Sequence, residues 1–377
     1  MTSPFMILIG LLVGIALLFQ LSTSWLVARR YRTQPQTSPI TSRPGLAILR
    51  PVCGLEPGLR ETLSSSYHGL THEDEVLFCL ADEKDPAIPV VRAVMDAYPA
   101  IPSQLLVGNS AISANPKLNN LEKGWLQAHH DWIAMIDSNV MLPQDYAQIL
   151  FDSWDEQTGL VSSPPLGVEA NGLWARVEGA ILNSYQGRCQ LASDELGAGF
   201  AQGKLLFWHR EILEAAGGMK ALANNLAEDI ASTKIVRSAG KKVSLVHFPF
   251  AQPLGQREFG EVWKRQVRWA RVRREGFPLL FAMEPLSGPL LPSLSLALLP
   301  MPIVSPLLIL VFLIVWYGVE AWMVRKADWP LVPGDISVWV LRDMLLPAIW
   351  LLSFTSRGFD WRGNVVDPKM STVTARK

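Results

Sequence analysis

The stretch Trp-Ile-Ala-Met-Ile-Asp-Ser-Asn at residues 132–139 decides the fold that we predict, because an apolar run stops there on a carboxylate. The run is too short for a helix and ends in polar turn residues, which indicates a buried parallel strand. Ligands of open α/β sheets bind beyond the carboxyl ends of the strands, so Asp137 is expected at a ligand crevice. A carboxylate there suits Mg²⁺ or Mn²⁺, since hard cations take oxygen ligands and accept substrate phosphates. The alternative is an Asp that only ends a strand.

From Leu46 onward, short apolar segments alternate with segments of helical periodicity, which predicts a sheet with crossover helices. About 200 residues are enough for one α/β domain with a substantial core. The expected strands are Leu46–Arg50, Glu75–Ala81, Gln104–Val107, Trp132–Asp137 and Leu205–Trp208. The expected helices lie near residues 58–66, 86–97, 117–129, 143–153, 173–186, 209–216 and 228–239.

Further polar residues stand at the ends of these predicted elements. Asp82 follows the second apolar segment and could accept a hydrogen bond from a base or a ribose. Lys117 starts a helix, where it could meet a phosphate that the helix N-terminus favours. Glu228 and Asp229 open another helix, and acids at that position also serve as simple helix-capping groups.

The N-terminal segment Phe5–Val27 runs 23 residues without a charge. At ~1.5 Å per residue it is long enough to cross a hydrocarbon core of ~30 Å. A cleaved signal peptide is disfavoured, because no Lys or Arg precedes the apolar run. Arg29, Arg30 and Arg32 follow the run, and the positive-inside rule places them and the next domain in the cytoplasm.

The C-terminal third combines basic and apolar segments. Residues 257–275 form a basic helical stretch with two Trp, which predicts an interfacial helix whose cations face anionic headgroups or substrate phosphates. The apolar segment Leu286–Val324 is too long for one span, and its prolines predict a helical hairpin. A third segment, Ile336–Phe354, contains Arg342 and Asp343, which favours a protein-facing helix. We predict it to be re-entrant or interfacial, because a crossing would put the basic tail outside.

Composition narrows the class of protein. The 377 residues are 49% hydrophobic and 18% charged, and 34 basic residues balance 34 acidic ones. Net neutrality argues against a general nucleic-acid binder. The three cysteines are widely spaced, without a Cys-x-x-Cys pair that would indicate zinc or redox chemistry. The predicted organisation is an anchor at 1–32, a linker at 33–45, an α/β domain at 46–255, the basic region at 256–285, membrane helices at 286–355 and a cytoplasmic tail at 356–377.

The acids occur in an order that resembles a known pattern. Asp82, Asp137 and Asp229, followed by Gln266-Val267-Arg268-Trp269, resemble the pattern of family 2 type glycosyltransferases. The flanking motifs resemble more narrowly the ceramide glucosyltransferase-like family, family 21, and its bacterial members. These motifs are Asp82–Ile88, Asn115–Leu121, Ala227–Asp229 and Trp361-Arg362-x-Asn364. The resemblance extends from about Leu46 to Arg362.

The resemblance implies a GT-A fold, a Rossmann-like mixed sheet, that uses a UDP-sugar and a divalent metal, Mg²⁺ or Mn²⁺. It implies that Asp137 binds the metal and the diphosphate and that Asp229 is the general base. Many relatives of the broader family carry Asp-x-Asp at the metal site, whereas here the third position is Asn139. The other implied roles are donor binding for Asp82, Lys117 and Asn120, and closure over diphosphate and acceptor for the catalytic residues Gln266, Arg268 and Trp269.

The leading hypothesis is a membrane-bound inverting glycosyltransferase that transfers one sugar, with glucose favoured, to a lipid hydroxyl, with ceramide favoured. Its expected location is a bacterial inner membrane, with several spans and a cytoplasmic catalytic domain. Diacylglycerol or a hopanoid as acceptor, a processive polysaccharide synthase and a non-catalytic membrane scaffold are the alternatives. The expected partners are a UDP-sugar, a membrane lipid and the bilayer, without nucleic acid. The sugar, the lipid, the metal and the oligomeric state stay open.

Overall fold

The computed structural model describes residues 4–33, 43–225, 227–355, 359–361 and 364–366. The chain divides into two compact units. A sheet unit contains Gln34–Glu169 and Ser193–Gly255, and a helical unit contains Met1–Thr33, Ala170–Ala192 and Gln256–Arg357. The segment Ala170–Ala192, which the sequence placed inside the 46–255 domain, thus groups with the apolar helices.

The sheet unit is built on a seven-stranded mixed sheet in the order β3-β2-β1-β4-β7-β5-β8. Strands β6 and β9 form a separate two-stranded sheet. The strands are β1 Leu46–Val52, β2 Glu75–Leu80, β3 Ser103–Val107, β4 Trp132–Ile136, β5 Thr158–Ser162, β6 Leu166–Asn171, β7 Leu205–His209, β8 Lys242–Leu245 and β9 Ala251–Gln256. Two further short strands, β10 Phe359–Trp361 and β11 Asn364–Val366, pair with each other.

The sheet changes direction at β4, which fixes the position of the site. β1 lies parallel to β2 on one side and to β4 on the other, so the three carboxyl ends share one edge. β7 runs antiparallel to β4, which brings the start of β7 to that same edge. The strand order leaves a topological switch point between β1 and β4, where ligands of such sheets bind.

Helices of the sheet unit pack against the sheet, and the burial of apolar side chains stabilises this packing. Ile133, Met135 and Ile136 of β4 have no exposed surface, and burial of such a side chain stabilises the fold by about 1.5–3 kcal/mol. Helix α4 lies so close that a Cβ on Gly124 would stand 2.7 Å from the Cys79 sulfur. The helices of this part are α2 Leu59–Ser64, α3 Ile88–Ala97, α4 Pro116–Gln127, α5 Tyr146–Asp152, α6 Leu173–Ala180, α7 Arg188–Glu195, α8 Arg210–Ala215, α9 Met219–Leu222 and α10 Glu228–Ser238, of which α6 and most of α7 belong to the helical unit.

All five predicted strands are confirmed to within two residues at each end. The sequence missed β5, β6, β8 and β9, because they are short and contain Gly, Pro or Lys, residues that are depleted in strands. The predicted helix at 173–186 is longer than expected, because a π-helical segment, Ile181–Gly187, joins α6 to α7. Helix α9 was not predicted.

The helical unit contains the long apolar helices. Its remaining helices are α1 Pro4–Arg30, α11 Phe259–Gly276, α12 Pro278–Met283, α13 Leu290–Ala297, α14 Val304–Lys326 and α15 Asp335–Leu352. By length and composition, three helices of the described chain could cross a membrane, at Pro4–Arg30, Val304–Lys326 and Asp335–Thr355. A pair bent by 56°, Pro278–Ser287 with Leu290–Ala297, is a broken span or a re-entrant loop. The segment that we predicted to be re-entrant or interfacial is therefore one continuous helix of spanning length.

A closed ionic cluster lies between the helices of this unit. The Arg342 guanidinium donates to both Glu320 oxygens at 2.6 and 3.1 Å and to both Asp343 oxygens at 2.9 Å. Ser184, on the π-helical segment, accepts a further bond at 2.9 Å, and the Tyr317 hydroxyl donates to Asp343 at 3.0 Å. Arg342, Asp343 and Glu320 are all buried. The charges inside the predicted apolar segments thus face protein, as expected.

The basic helix α11 differs from its sequence-based interpretation. Arg257 and Arg265 both pair with the buried Glu178, and Arg273 binds Glu284 through two nitrogen–oxygen contacts of 2.6 and 3.1 Å. Arg274 donates to the carbonyl oxygen of Ser353. These internal partners neutralise or satisfy cations that the sequence had assigned to lipid headgroups or substrate phosphates.

We expect Arg342→Ala to destabilise the protein by about 3–5 kcal/mol, because it leaves two carboxylates buried without their cation. Thermal unfolding in one detergent should show a large fall in Tm for this variant. Arg176→Ala is the matched control, since Arg176 also pairs with an Asp of α15, at 2.6 Å, but is partly exposed. Such a pair contributes about 0–1 kcal/mol. Equal losses in the two variants would contradict a special role for the buried cluster.

Candidate active site

The edge of the sheet beyond β4 carries the charged residues of the site. Asp137 follows β4 directly, and its amide donates to the carbonyl oxygen of Lys204 at 3.0 Å. Lys204 immediately precedes β7, whose first residue, Leu205, pairs with Ile136. The antiparallel register of β4 and β7 therefore places a lysine beside the predicted metal ligand.

The Asp137 carboxylate lies between two ammonium groups. Lys117 is 2.7 Å from one oxygen and Lys204 is 3.1 Å from the other. The Asp137 side chain is 25% exposed, so one side of it faces solvent. Burial alone would raise its pKa, but Lys117 and Lys204 hold the pKa well below its usual range. Asp137 is therefore an anion at every physiological pH.

A second carboxylate, Glu228, completes this network. It accepts from the Lys117 ammonium at 2.7 Å and from the Asn115 side-chain amide at 2.8 Å. The Asn115 oxygen in turn accepts from the Lys117 backbone amide at the start of α4. Burial would lower the pKa of Lys117, but Asp137 and Glu228 raise it, so Lys117 stays charged. Glu228 thus fixes the position and the charge of Lys117.

Asp229 has a different electrostatic environment from its neighbour Glu228. One of its oxygens accepts from the Gly203 amide at 3.2 Å and the other from the Ile230 amide at 2.7 Å. Burial and the adjacent Glu228 carboxylate raise the pKa of Asp229 to about 7. Asp229 lies in the first turn of α10 and is not the N-cap, which is Ala227. A carboxylate with this pKa can exchange a proton near neutral pH.

Gly203 permits the close approach of the two acids. A Cβ on Gly203 would lie 2.8 Å from a Glu228 oxygen and 3.7 Å from an Asp229 oxygen. The Gly203 carbonyl oxygen also accepts from the Lys117 ammonium at 2.5 Å. The Gly203 backbone thus contacts two of the charged groups, Lys117 and Asp229, and a side chain there would displace a third, Glu228.

A buried arginine supports the loop that follows β4. Arg50 on β1 is fully buried and donates to the carbonyl oxygens of Thr62, Ser138 and Val140, at 2.9, 3.3 and 3.1 Å. Burial lowers the pKa of Arg50 to about 10, which leaves it charged. The Ser138 hydroxyl donates to Glu56 at 2.9 Å. These bonds hold the backbone that presents Asp137 and Asn139.

The other residues that the sequence analysis assigned to the site lie just beyond β2, on α4 and on α11. Asp82 is exposed just beyond β2, and one of its oxygens accepts from the Lys84 amide at 2.9 Å. Asn120 is buried, donates to the Cys79 carbonyl oxygen at 2.7 Å and accepts from Lys123 at 2.6 Å, so its amide joins α4 to β2. Arg362 lies outside the described residues. Gln266, Arg268 and Trp269 lie on α11, in the helical unit.

The oxygens beyond β4 fit a hard cation. The Asp137 carboxylate and the Asn139 amide oxygen converge on one cation, the Lys204 ammonium, at 3.1 and 2.9 Å. Within the described residues, no group of three or more His, Cys, Asp or Glu side chains is arranged as a metal site. Two protein oxygens are nevertheless the pattern of Mg²⁺ sites in which substrate phosphates and water complete the coordination.

Comparison with known proteins shows the family of this chain. The model of Glycosyl transferase family 21 matches residues 6–372. The chain belongs to this family. Two proteins from Caenorhabditis elegans are similar to this chain. Ceramide glucosyltransferase 3 is 25% identical over 94% of this chain and 80% of the relative, and ceramide glucosyltransferase 1 is 26% identical over 68% and 55%.

A solved structure supports the fold of this family 21 member. The mannosyltransferase PcManGT from Pyrobaculum calidifontis, solved in complex with GDP-Man and Mn²⁺, is similar with a TM-score of 0.55. The match covers 89% of this chain and 97% of that chain, at 16% sequence identity. Together with the mixed sheet, it confirms the predicted GT-A fold with apolar helices at both ends of the chain.

Lys204, Gly203 and Arg50 belong to the site but escaped the sequence analysis. Lys204 was missed because it precedes its strand. If β7 were parallel to β4, a residue before β7 would lie at the edge of the sheet opposite to Asp137. The run Gln202-Gly203-Lys204 before an apolar segment was the available signal. Arg50 was missed because an arginine inside a strand is ordinarily exposed, and here it is buried.

We expect Gly203→Ala to lower sugar transfer by about 10²-fold, because a displacement of ~1 Å in catalytic groups can have an effect of that size. The added methyl group would displace the Glu228 carboxylate, because one of its oxygens lies 2.8 Å from the position of the new carbon. Steady-state transfer by purified protein measures the effect. Gly318→Ala is the control, since a Cβ there meets no heavy atom within 4 Å. Unchanged transfer in Gly203→Ala would show that the network tolerates the shift.

Proposed function

We propose that this family 21 member is an inverting enzyme that transfers one glucose from UDP-glucose to the hydroxyl of a membrane lipid, with ceramide as the acceptor. The observation that carries the proposal is the pairing of a cation-binding anion, Asp137, with a proton-accepting group, Asp229, in one network around Gly203. The likeness to ceramide glucosyltransferase 3 over 94% of the chain supports the choice of acceptor.

The donor half of the site would stabilise a leaving diphosphate. Departure of UDP from the sugar leaves negative charge on the diphosphate, which preorganised cations can stabilise. Lys117 remains charged and is held in place by Glu228 and Asn115, so it can supply one positive charge. Asp137 and Asn139 would hold Mg²⁺ or Mn²⁺. When bound, the metal would act as a Lewis acid on the phosphate oxygens.

The acceptor half of the reaction needs a base. The lipid hydroxyl must lose its proton as it attacks the sugar, and Asp229 would accept that proton. In-line attack from the side opposite to UDP would invert the anomeric centre. Asp82 would contact the uridine, and Gln266, Arg268 and Trp269 would close over the diphosphate and the acceptor. The apolar helices would retain the enzyme in a bacterial inner membrane, with the catalytic groups on the cytoplasmic side.

A panel of UDP-sugars and lipids tests the proposal. Purified protein is incubated with UDP-glucose, UDP-galactose or UDP-N-acetylglucosamine and with ceramide, diacylglycerol or a hopanoid, and the products are weighed by mass spectrometry. We expect a hexosylceramide from UDP-glucose. Products with many sugars would favour a polysaccharide synthase. No product together with no UDP binding would favour a non-catalytic scaffold.

The variant Asp229→Asn tests whether Asp229 acts as a general base or has only a structural role. Asparagine can still accept a hydrogen bond from Gly203 or Ile230, but it cannot accept the hydroxyl proton. Loss of a general base typically lowers the rate by ~10²–10⁴, so we expect at least a ~100-fold fall in transfer with UDP-sugar binding retained. Near wild-type turnover would assign Asp229 to structure, and lost UDP binding would assign it to the donor site.

The pH profile gives a second test of the base. Asp229 must be deprotonated to act, and its pKa is raised to about 7, so kcat/KM should rise with pH through 7. From that pKa, activity at pH 6 should be roughly tenfold lower than at pH 8. Glu228→Gln removes a neighbouring negative charge, which should lower the pKa of Asp229 and shift the rise of kcat/KM to lower pH. A flat profile between pH 5.5 and 8 would contradict the assignment.

A further inference from the structure

We infer that Lys204 is a resident cation that makes binding of the divalent metal conditional on the nucleotide-sugar. The inference deepens the proposed function and rests on it. The Lys204 ammonium lies 3.1 Å from an Asp137 oxygen and 2.9 Å from the Asn139 oxygen, the two side-chain groups assigned to the metal. A metal that binds both oxygens must therefore displace this ammonium.

The charges of the network are balanced without the metal. Asp137 and Glu228 face Lys117 and Lys204, two anions against two cations. The same loop also contacts one further cation and one further anion, because the buried Arg50 donates to the Ser138 carbonyl oxygen and Glu56 accepts from the Ser138 hydroxyl. Asp229 adds a negative charge only when it is deprotonated.

Metal and donor would disturb this balance in opposite directions. A divalent metal alone adds two positive charges, and the diphosphate of a UDP-sugar alone adds two negative charges. The pair together adds none. Because uncompensated charge in a partly buried site is unfavourable, metal and donor should each strengthen the binding of the other.

Lys117 and Lys204 differ in the carboxylate partner that each would retain once a metal binds Asp137. Lys117 would retain Glu228, at 2.7 Å, when a metal takes its place at Asp137. In the described chain, Asp137 is the carboxylate within ion-pair distance of Lys204, and its other partner is the neutral Asn139. Lys204 is therefore the cation released by the metal, and the donor diphosphate can receive it.

The test measures Mn²⁺ binding to full-length protein in detergent, with and without UDP, by the electron paramagnetic resonance signal of free Mn²⁺. Wild type should bind Mn²⁺ weakly alone and much more tightly with UDP. In Lys204→Met, the loss of one positive charge next to the metal should tighten Mn²⁺ binding without UDP by at least about tenfold. The same variant should show a smaller enhancement by UDP.

Three variants control for other effects. Lys204→Arg retains the charge and should keep the dependence on UDP. Lys242→Met also removes a lysine bound to an aspartate of the sheet unit, Asp155 at 2.7 Å, but away from this network, and should behave as wild type. Asp137→Asn should lose Mn²⁺ binding in both conditions. Thermal unfolding checks that each variant is folded.

Several outcomes would overturn the inference. Equal Mn²⁺ affinity of Lys204→Met and wild type without UDP would show that Lys204 does not occupy the metal position. Wild-type binding of Mn²⁺ that is unaffected by UDP would remove the conditionality while leaving the proposed metal site intact. If wild type binds UDP but no Mn²⁺ under any condition, the metal part of the proposed function fails together with the inference.

Discussion

The ion pairs of Asp137 with Lys117 and Lys204 are the interaction on which the site depends. They join the end of β4, the start of α4 and the start of β7, so three elements that are distant in sequence meet at one carboxylate. Two opposite charges 4 Å apart attract by about 4 kcal/mol at an effective dielectric constant of ~20, which offsets the cost of removing both from water. The geometry of the site and the fold of this edge therefore support each other.

The chain contains two ionic networks with different consequences. In the helical unit, Arg342 satisfies Glu320 and Asp343 with bidentate contacts, and all three side chains are at most 5% exposed. Such a closed network has no oxygen left for a ligand and serves packing. In the sheet unit, Asp137 is 25% exposed and its partners are single lysines, which can move to other anions. The candidate active site therefore differs from the structural cluster in two ways: its carboxylate is partly exposed to solvent, and its lysine partners can bind other anions.

In the basic region around helix α11, internal ion pairs bind arginines that the sequence pattern had assigned to a lipid surface or to substrate phosphates. Seven cations with two Trp indicated a surface for headgroups or phosphates, yet Glu178 and Glu284 bind three of the arginines. Glu178 has no exposed surface, so its pairs replace lost hydration. The helix begins with a capping box, and internal ion pairs hold it at Arg265 and Arg273.

The sequence by itself determined where the central strands run and which acids end them, because an apolar run and the polar residue that stops it are adjacent in the chain. Asp82 and Asp137 were predictable for that reason, as were the apolar helices. Only the tertiary structure decided that β7 is antiparallel to β4, that Lys204 contacts an acid 67 residues away, and that the Asn120 amide is used inside the fold. Hydrophobic periodicity records which residues are buried, whereas strand direction and charge partners depend on packing between distant segments. The pKa of Asp229 was equally out of reach, since it follows from burial and from the neighbours that folding supplies.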